Sequence, residues 1–147
     1  MKIAYIQSTS KGVDYHRLEK PLSKFKDVTA YNTIPLDKVG EVDCDVLIFS
    51  RYMYEDDQIE IFKAFRDKGV KIIVDVDDYW MLPKHHVMHL AYQHNGISRK
   101  IIQAMTLADE VWTTHTKLAE RIEKYNPRVK VYPNAIDSTE AQWIPNQ

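Results

Sequence analysis

The feature that most limits how this chain can fold is a set of short apolar runs separated by amphipathic segments. The runs "CDVLIFS" and "VKIIVDV" are almost continuously apolar, which is typical of parallel strands that are covered on both faces. The segment "EDDQIEIFKAFRDKG" between them has apolar residues at helical spacing, and Gly69 is its expected end. A strand, a helix and a second strand in this order predict a parallel βαβ unit.

The same alternation covers the rest of the chain. Strand patterns occur in "KIAYIQ", "DVTAYNT", "DEVWTT" and "RVKVYP", the second of them typical of an edge strand, and helical patterns occur in "ISRKIIQAMTLA" and "TKLAERIEKY". Another helical segment follows the first strand, with Asp14 as its expected cap and a break or restart at Pro21. Thr114 or Thr116 is expected to cap the last helix. The sequence therefore predicts an α/β fold, a Rossmann-like, doubly wound, mostly parallel sheet of about six strands with helices on both faces.

Composition narrows the classes of function and location. A length of 147 residues favours a single domain. The net charge of −1 gives no overall attraction to nucleic acid or to an anionic membrane, so no nucleic-acid partner is expected. Cys44 is the only cysteine, which excludes an intrachain disulfide and a thiolate-rich zinc site and fits a cytoplasmic protein. No apolar run approaches the roughly 20 residues that span a bilayer, so no transmembrane segment is expected.

The sequence lacks the common nucleotide-binding motifs. Neither G-x-G-x-x-G nor G-x-x-x-x-G-K-[ST] occurs, and the loop after the first strand has a single glycine, Gly12. We therefore expect that any nucleotide involved in the function is held mainly by another domain.

Polar side chains are concentrated where the predicted strands end. Ligands of open parallel sheets bind outside the carboxyl ends of the strands. Those ends here read "QST", "SRY", "DVDD", "TTH" and "PN". The fold therefore predicts a functional cleft along this rim, with Arg51, Asp77, Asp78 and Thr114 among its side chains.

The stretch "VKIIVDVDDYWMLPKHH" allows three interpretations. The first is a haloacid-dehalogenase-like phosphatase, whose D-x-D-x-[TV] motif follows an apolar strand and supplies a nucleophile and an acid/base. Asp75 and Asp77 match that spacing, but Tyr79 stands where Thr or Val belongs. The motif also lies on the fourth predicted strand instead of the first.

The second interpretation is a metal site, because histidines and aspartates are the usual ligands of zinc and manganese. His85 and His89 would share one face of a helix, and His86 and His94 lie nearby. However, H-x-x-x-H without the glutamate of H-E-x-x-H is a weak signal. The alternative is that these are loop histidines that are solvated or satisfied by hydrogen bonds.

The third interpretation is a sugar cleft. Carboxylates accept hydrogen bonds from sugar hydroxyls, while an aromatic ring such as Trp80 or Tyr79 covers the apolar face of the sugar. The alternative for Trp80 is a place in the hydrophobic core.

Two longer stretches carry a resemblance to a known family. "VDVDDYWMLPKHH" and "LADEVWTTHTKLAERIEKYNPRVKVYPNAID" resemble the N-terminal, acceptor-side domain of GT-B fold glycosyltransferases of the family 4-like and family 1-like group, and "GVDYHRLEKPL" fits the first loop of that family. The resemblance implies that residues 1–137 form the Rossmann-like N-terminal domain. It implies that residues 138–147 are a tail or the start of an interdomain linker, and that the C-terminal donor-binding domain is absent from this chain.

The resemblance also implies a function. It predicts the acceptor-binding half of an enzyme that moves a sugar from a nucleotide-sugar to a sugar, lipid or other hydroxyl acceptor in cytoplasmic carbohydrate biosynthesis. The nucleotide-sugar is a co-substrate, no obligatory metal or other cofactor is expected, and the isolated domain is expected to be inactive. A dimer through the exposed interdomain face is a further expectation. The alternative is a non-catalytic, solitary Rossmann-like domain that binds a ligand or a partner.

Specific residues follow from this interpretation. Asp77 and Asp78 are the predicted catalytic residues, because either carboxylate can orient or deprotonate an acceptor hydroxyl. The predicted substrate-binding residues are side chains and a close-approach glycine along the same rim: Gly12, His16, Arg17, Arg51, Trp80, His85, His86, Thr114 and Asn134. No residue is predicted to ligate a metal.

Overall fold

The fold is centred on one sheet of six parallel strands in the order β2-β1-β3-β4-β5-β6. The structure is a computed structural model, and it describes residues 1–7, 11–53 and 56–134. The strands are β1 (Ile3–Ile6), β2 (Val28–Tyr31), β3 (Val46–Ser50), β4 (Lys71–Val76), β5 (Glu110–Thr113) and β6 (Val129–Val131). The predicted parallel sheet is confirmed, and so is the edge position of β2.

Helices connect these strands. The first helical segment comprises α1 (Lys11–Asp14), a π-helical turn (Tyr15–Glu19) and α2 (Lys20–Leu22). A 3₁₀ helix (Leu36–Glu41) precedes β3, and the later helices are α3 (Gln58–Asp67), α4 (His89–His94), α5 (Ile97–Leu107) and α6 (Thr116–Ile122). Every helix in the described part of the chain is too short or too polar to cross a bilayer.

The helices cover both faces of the sheet, as the sequence predicts. On one face, buried residues of α3, α5 and α6 such as Phe62, Ile101 and Ile122 pack in one cluster with Val74 of β4. On the other face, Leu18 and Leu22 of the first helical segment pack with the strand residues Ile3, Tyr5, Ile48 and Ile73. The strand order reverses between β1 and β3, which makes the carboxyl edge near this point the expected ligand site.

The predicted helix ends and starts agree with the structure at Gly69 and Pro21 but not at Asp14. Gly69 adopts φ +75° just after α3, so its expected role as the helix end is confirmed. Pro21 lies in the first turn of α2, where the helix restarts. Asp14 was expected to cap the first helical segment, but that segment already begins at Lys11 and Asp14 is buried within it.

The cap of α6 differs from the prediction by one residue. His115 is the N-cap, and its Nδ1 accepts a hydrogen bond of 3.2 Å from the backbone N–H of Leu118. The neighbours Thr114 and Thr116 do not have this role. Because a ring nitrogen that accepts a hydrogen bond carries no proton, the neutral His115 ring is protonated at Nε2.

Candidate functional site

An ion pair between Arg51 and Asp77 lies at the carboxyl edge of the sheet, where β3 and β4 end side by side. Arg51 Nε donates to Asp77 Oδ1 at 2.8 Å, and Nη2 donates to Oδ2 at 3.1 Å. Nη2 also reaches Asp78 Oδ2 at 3.3 Å. One arginine therefore neutralises part of the charge of two adjacent carboxylates and fixes the orientation of the first.

The backbone of Arg51 is in an unusual conformation. Among the described residues it is the one non-glycine with positive φ, at 61°. Such a conformation costs on the order of 1 kcal/mol or more and persists where the surroundings hold it. Here the backbone N–H of Arg51 donates to Asp75 O at 2.8 Å, which continues the pairing of β3 with β4 by one residue. The strained residue is therefore the one whose side chain is directed at Asp77.

The pairing also changes the acidity of the guanidinium group. Burial by itself lowers the pKa of Arg51, but the hydrogen bonds and negative charge of Asp77 outweigh that effect, so its pKa is raised. Arg51 therefore stays positively charged at every physiological pH.

A cavity of about 230 Å³ opens beside this pair. Its walls come from the loop after β4 and from the first turns of α6, and they consist of Asp77, Asp78, Tyr79, His115, Lys117, Leu118 and Arg121. We call it the Asp77 pocket. Asp78 has a side chain that is 75% exposed, whereas that of Asp77 is 10% exposed. Asp78 is thus the carboxylate that a ligand can reach, whereas Asp77 is mostly buried and bound by Arg51.

Positive groups stand opposite these carboxylates. Lys117 and Arg121 are one helical turn apart on α6 and lie on the same side of that helix. The guanidinium of Arg121 lies 5.8 Å from the centre of the Tyr79 ring, within the range of a cation–π contact. The pocket therefore combines hydrogen-bond acceptors, cations, the Nε2–H of His115 and one partly exposed aromatic ring.

A second arginine–aspartate pair lies deeper under the same edge. Arg17, in the π-helical turn, donates from Nε to Asp75 Oδ2 at 3.0 Å and from Nη2 to Asp75 Oδ1. Nη1 of the same arginine donates to the backbone oxygen of Tyr132 and, at 3.3 Å, to Asn134 Oδ1. Arg17 therefore ties the first helical segment to β4 and to the end of β6.

Asp75 has no contact with solvent. Burial raises the pKa of Asp75, the hydrogen bonds and charge of Arg17 oppose that rise, and the nearby carboxylates of Asp77 and Asp14 add to it. Both of its oxygens already accept hydrogen bonds from Arg17. A buried carboxylate that is held on both oxygens is a poor nucleophile, so this geometry does not suit the phosphatase interpretation.

A larger cavity of about 460 Å³ lies between the first helical segment and the ends of β5 and β6. It is mostly apolar and is lined by His16, Arg17, Pro21, Leu22, Phe25, Trp112, Tyr132 and Pro133. It shares Arg17 with the buried pair but none of its lining residues with the Asp77 pocket. The two cavities are therefore separate features of the domain.

The structure brings together some of the predicted site residues. Arg51, Asp77 and Asp78 form one group, and Thr114 joins it because its hydroxyl donates to the backbone oxygen of Asp77 at 3.3 Å. His16, Arg17 and Asn134 lie instead around the apolar cavity and the buried pair. Gly12 lies in α1, and a Cβ there would meet no described atom within 4 Å.

Trp80 does not have the position expected of a residue that stacks on a sugar. Its side chain is 1% exposed and packs edge-on against Tyr125, with ring centres 5.8 Å apart. The ring is part of the hydrophobic core, and Ser98 Oγ donates to Trp80 O at 2.6 Å, which ties that turn to α5. Tyr79, 45% exposed, presents its ring to the Asp77 pocket instead.

The histidines of the same loop are also outside the pocket. His85 and His86 are exposed, and His86 Nδ1 accepts a hydrogen bond of 3.1 Å from the backbone N–H of Met88. His89 bonds through Nδ1 to Leu82 O at 2.9 Å. Within residues 1–7, 11–53 and 56–134, no three His, Cys, Asp or Glu side chains come together in a way that could hold a metal ion.

Three residues of the pocket were missed by the prediction from sequence, namely Lys117, Leu118 and Arg121. Tyr79 was considered for a sugar cleft and His115 was placed at this rim, but neither was named as a binding residue. The sequence does contain a signal for the two missed basic residues. His115 follows the end of β5, and Lys117 and Arg121 have the i, i+4 spacing that places both on one side of the next helix. Reading the helix after each strand end, in addition to the strand end itself, would have found them.

The fold and the site define a Rossmann-like α/β domain with a charged pocket at the carboxyl edge of its sheet. No protein-family model matches the sequence, and no curated protein matches it significantly. The interpretation of function therefore depends on the fold, the pocket and the residues that form it.

Proposed function

We propose that this chain is the acceptor-binding half of a glycosyltransferase that uses a nucleotide-sugar donor. The observation that carries the proposal is the Asp77 pocket, in which an exposed carboxylate, a supported carboxylate and an exposed aromatic ring lie at the carboxyl edge of a parallel sheet. Carboxylates and an aromatic face are the groups that protein sites use for polyols. The sequence resemblance to GT-B enzymes supports the same class.

The reaction assigns a role to each group. The oxygen of an acceptor hydroxyl forms a bond to the anomeric carbon of the donor sugar, and the bond between that carbon and the diphosphate breaks. The acceptor proton passes from its oxygen to the carboxylate of Asp78, and the nucleoside diphosphate departs with the electron pair. Asp78 accepts the hydrogen bond of the acceptor hydroxyl, and Arg51, which is held by Asp77, also binds Asp78 and so helps to position it.

The remaining pocket residues position the acceptor. Tyr79 covers an apolar ring face, and His115 donates from Nε2 to an acceptor oxygen. Lys117 and Arg121 attract negative charge, either on the acceptor or on the leaving diphosphate. Because the described residues contain no glycine-rich phosphate loop, the donor nucleotide is expected to bind to a second domain, in the same polypeptide or in a partner chain.

A transfer assay tests this proposal. The complete product of the gene that contains this sequence is incubated with radiolabelled nucleotide-sugars and with a lipid and saccharide extract as acceptor. Donor-dependent labelling of an acceptor supports the proposal, and we expect Asp78→Asn to abolish most of it. Asp67→Asn is the matched control, because Asp67 is exposed at the end of α3 and away from the pocket.

Two results would overturn the proposal. One is the absence of labelling with every donor while the protein is folded and its thermal unfolding is cooperative. The other is labelling that Asp77→Asn and Asp78→Asn leave unchanged, since the pocket would then take no part in the transfer.

A further inference from the structure

The segment that follows the Asp77 pocket has an unusual surface. From Tyr79 to Ala108 the sequence contains no Asp or Glu, although the chain has 21 acidic residues. Large apolar side chains in the first part of this segment are exposed: Tyr79, Met81, Val87, Met88 and Leu90. Val87 is 92% exposed and Leu90 is 77% exposed. We call residues 79–94 the apolar loop.

The apolar loop is an ordered part of the fold. Its beginning is fixed by the buried ring of Trp80 and by the hydrogen bond from Ser98 to Trp80 O. Its middle is a series of turns, in which the N–H of His86 donates to Pro83 O and the N–H of His89 donates to His86 O, both at 2.9 Å. These hydrogen-bonded turns leave Val87 exposed, and α4 beside it has no buried residue.

Positive charges outnumber negative ones around the apolar loop. Lys84 is exposed within it, next to His85 and His86. Arg121 contacts the Tyr79 ring at its start. The nearest carboxylates, Asp77 and Asp78, are both bound by Arg51, so an excess of positive charge remains beside the loop.

We propose that the apolar loop binds the surface of a membrane that contains anionic phospholipids. Val87 and Leu90 enter the boundary between headgroups and acyl chains, while Lys84 contacts lipid phosphates. A protruding turn with a nearly fully exposed valine at its tip suits a soft lipid interface, because that interface closes around it. A peripheral contact of this kind needs no spanning helix, and it does not depend on the transferase reaction.

A vesicle flotation experiment tests the proposal. The protein is mixed with vesicles of phosphatidylcholine containing about 30% phosphatidylglycerol, or with pure phosphatidylcholine vesicles, at low salt. We expect the protein to float with the anionic vesicles and to stay unbound with the neutral ones. We expect Val87→Ser combined with Leu90→Ser to reduce the bound fraction roughly fivefold, and Lys84→Glu to reduce it by about tenfold.

Matched variants control for loss of folding and for nonspecific charge effects. Leu36→Ser combined with Val131→Ser removes the same two residue types from positions 38% and 39% exposed elsewhere on the surface. Lys24→Glu makes the same charge reversal at an exposed lysine outside the loop. Both controls are expected to float like the unmodified protein, and thermal unfolding verifies that all variants are folded.

Other outcomes would overturn the proposal. One is that the unmodified protein does not float with anionic vesicles, and another is that the loop variants and the controls float equally. Sedimentation velocity supplies a third. If the unmodified protein self-associates in the absence of lipid, and Val87→Ser with Leu90→Ser makes it monomeric, the loop is an interface between copies of the chain instead of a membrane contact.

Discussion

Arg17 donates to both carboxylate oxygens of Asp75, and neither side chain has appreciable contact with water. The two residues are 58 positions apart, one in the π-helical turn and one in β4. The same guanidinium binds the backbone of Tyr132 at the end of β6. This arginine therefore connects the first helical segment to the strand that precedes the Asp77 pocket and to the residues that follow β6.

Removal of Arg17 is expected to destabilise the fold strongly. Arg17→Met leaves Asp75 buried without its counter-charge, which costs about 3–5 kcal/mol in comparable proteins. Urea denaturation measures the free energy of unfolding. Arg99→Met, at an exposed position, is the control and is expected to change it by less than about 0.5 kcal/mol.

A double variant shows whether the lost stability comes from the unpaired charge of Asp75 or from the loss of side-chain packing. Arg17→Met combined with Asp75→Leu replaces the pair with apolar side chains, and such replacements are often neutral or stabilising. We expect the double variant to regain most of the lost stability. A single Arg17→Met variant with a loss below about 1 kcal/mol would show that the buried pair is not as the structure has it.

The two aspartates of the pocket are expected to respond differently to substitution. Asp78→Asn changes an exposed carboxylate, so it is expected to leave stability within about 0.5 kcal/mol and to lower kcat by about 10²-fold. Asp77→Asn weakens the hydrogen bonds to Arg51, so it is expected to lower both stability, by about 1 kcal/mol, and kcat. Steady-state kinetics and urea denaturation of both variants make the comparison. Equal effects of the two substitutions on stability would contradict these separate roles.

Glu110 is expected to make stability depend on acid pH. Burial alone raises the pKa of Glu110, but the hydrogen bonds from Trp112, Lys71 and Lys130 outweigh it, so the pKa is lowered. A carboxyl whose pKa is lowered by folding stabilises the protein above its unfolded-state pKa of about 4.3, and that contribution disappears as the pH falls through the folded-state pKa.

Glu110→Gln tests this dependence. The substitution is expected to cost about 1 kcal/mol at pH 7 and less at pH 3, because the contribution of a lowered pKa declines once the pH falls below the unfolded-state pKa of about 4.3. Glu120→Gln, at an exposed position on α6, is the matched control. Urea denaturation at several pH values measures the free energy of unfolding of each variant. If Glu110→Gln lowered it equally at pH 7 and pH 3, the predicted pH dependence would be wrong.

Cys44 is expected to react slowly with thiol reagents. It is buried, and burial raises the pKa of the thiol, so little of the reactive thiolate is present at neutral pH. Reaction with an aromatic disulfide reagent should be about 100-fold slower than for a Cys44→Ser, Lys24→Cys variant, whose thiol is exposed. Urea should remove this difference. Rapid labelling of Cys44 in the folded protein would contradict its position in the core.

Much of the fold could be predicted because its signals are local. The apolar runs of β3 and β4 and the helical spacing of Ile61 and Phe65 are set by neighbours in the sequence, and the structure has these elements. The cap of α6 was missed by one residue because Thr114, His115 and Thr116 can each accept a backbone hydrogen bond. Which of them does so depends on where the backbone turns, and the residue types do not encode that.

The site was predicted less completely because its contacts join distant parts of the chain. Arg17 was predicted to bind substrate, since nothing near it in the sequence indicates a buried partner in β4. Trp80 follows three aspartates, and its burial depends on packing against residues distant in the sequence, such as Tyr125, which its neighbours do not indicate. Arg51, Asp77 and Asp78 could be grouped from the sequence because they follow the carboxyl ends of adjacent parallel strands. Ligands of open parallel sheets bind at that edge, whatever the side-chain contacts are.

The most direct test of the Asp77 pocket as an acceptor site is a nuclear magnetic resonance titration of the isotope-labelled chain with a panel of mono- and oligosaccharides. Amide shifts report where each saccharide binds. If the pocket binds saccharides, saturable shifts are expected at Asp78, Tyr79, His115 and Arg121. The Asp78→Asn variant is expected to lose these shifts, and the Asp67→Asn variant is expected to keep them. Saturable shifts confined to another surface, or shifts that Asp78→Asn leaves intact, would contradict it.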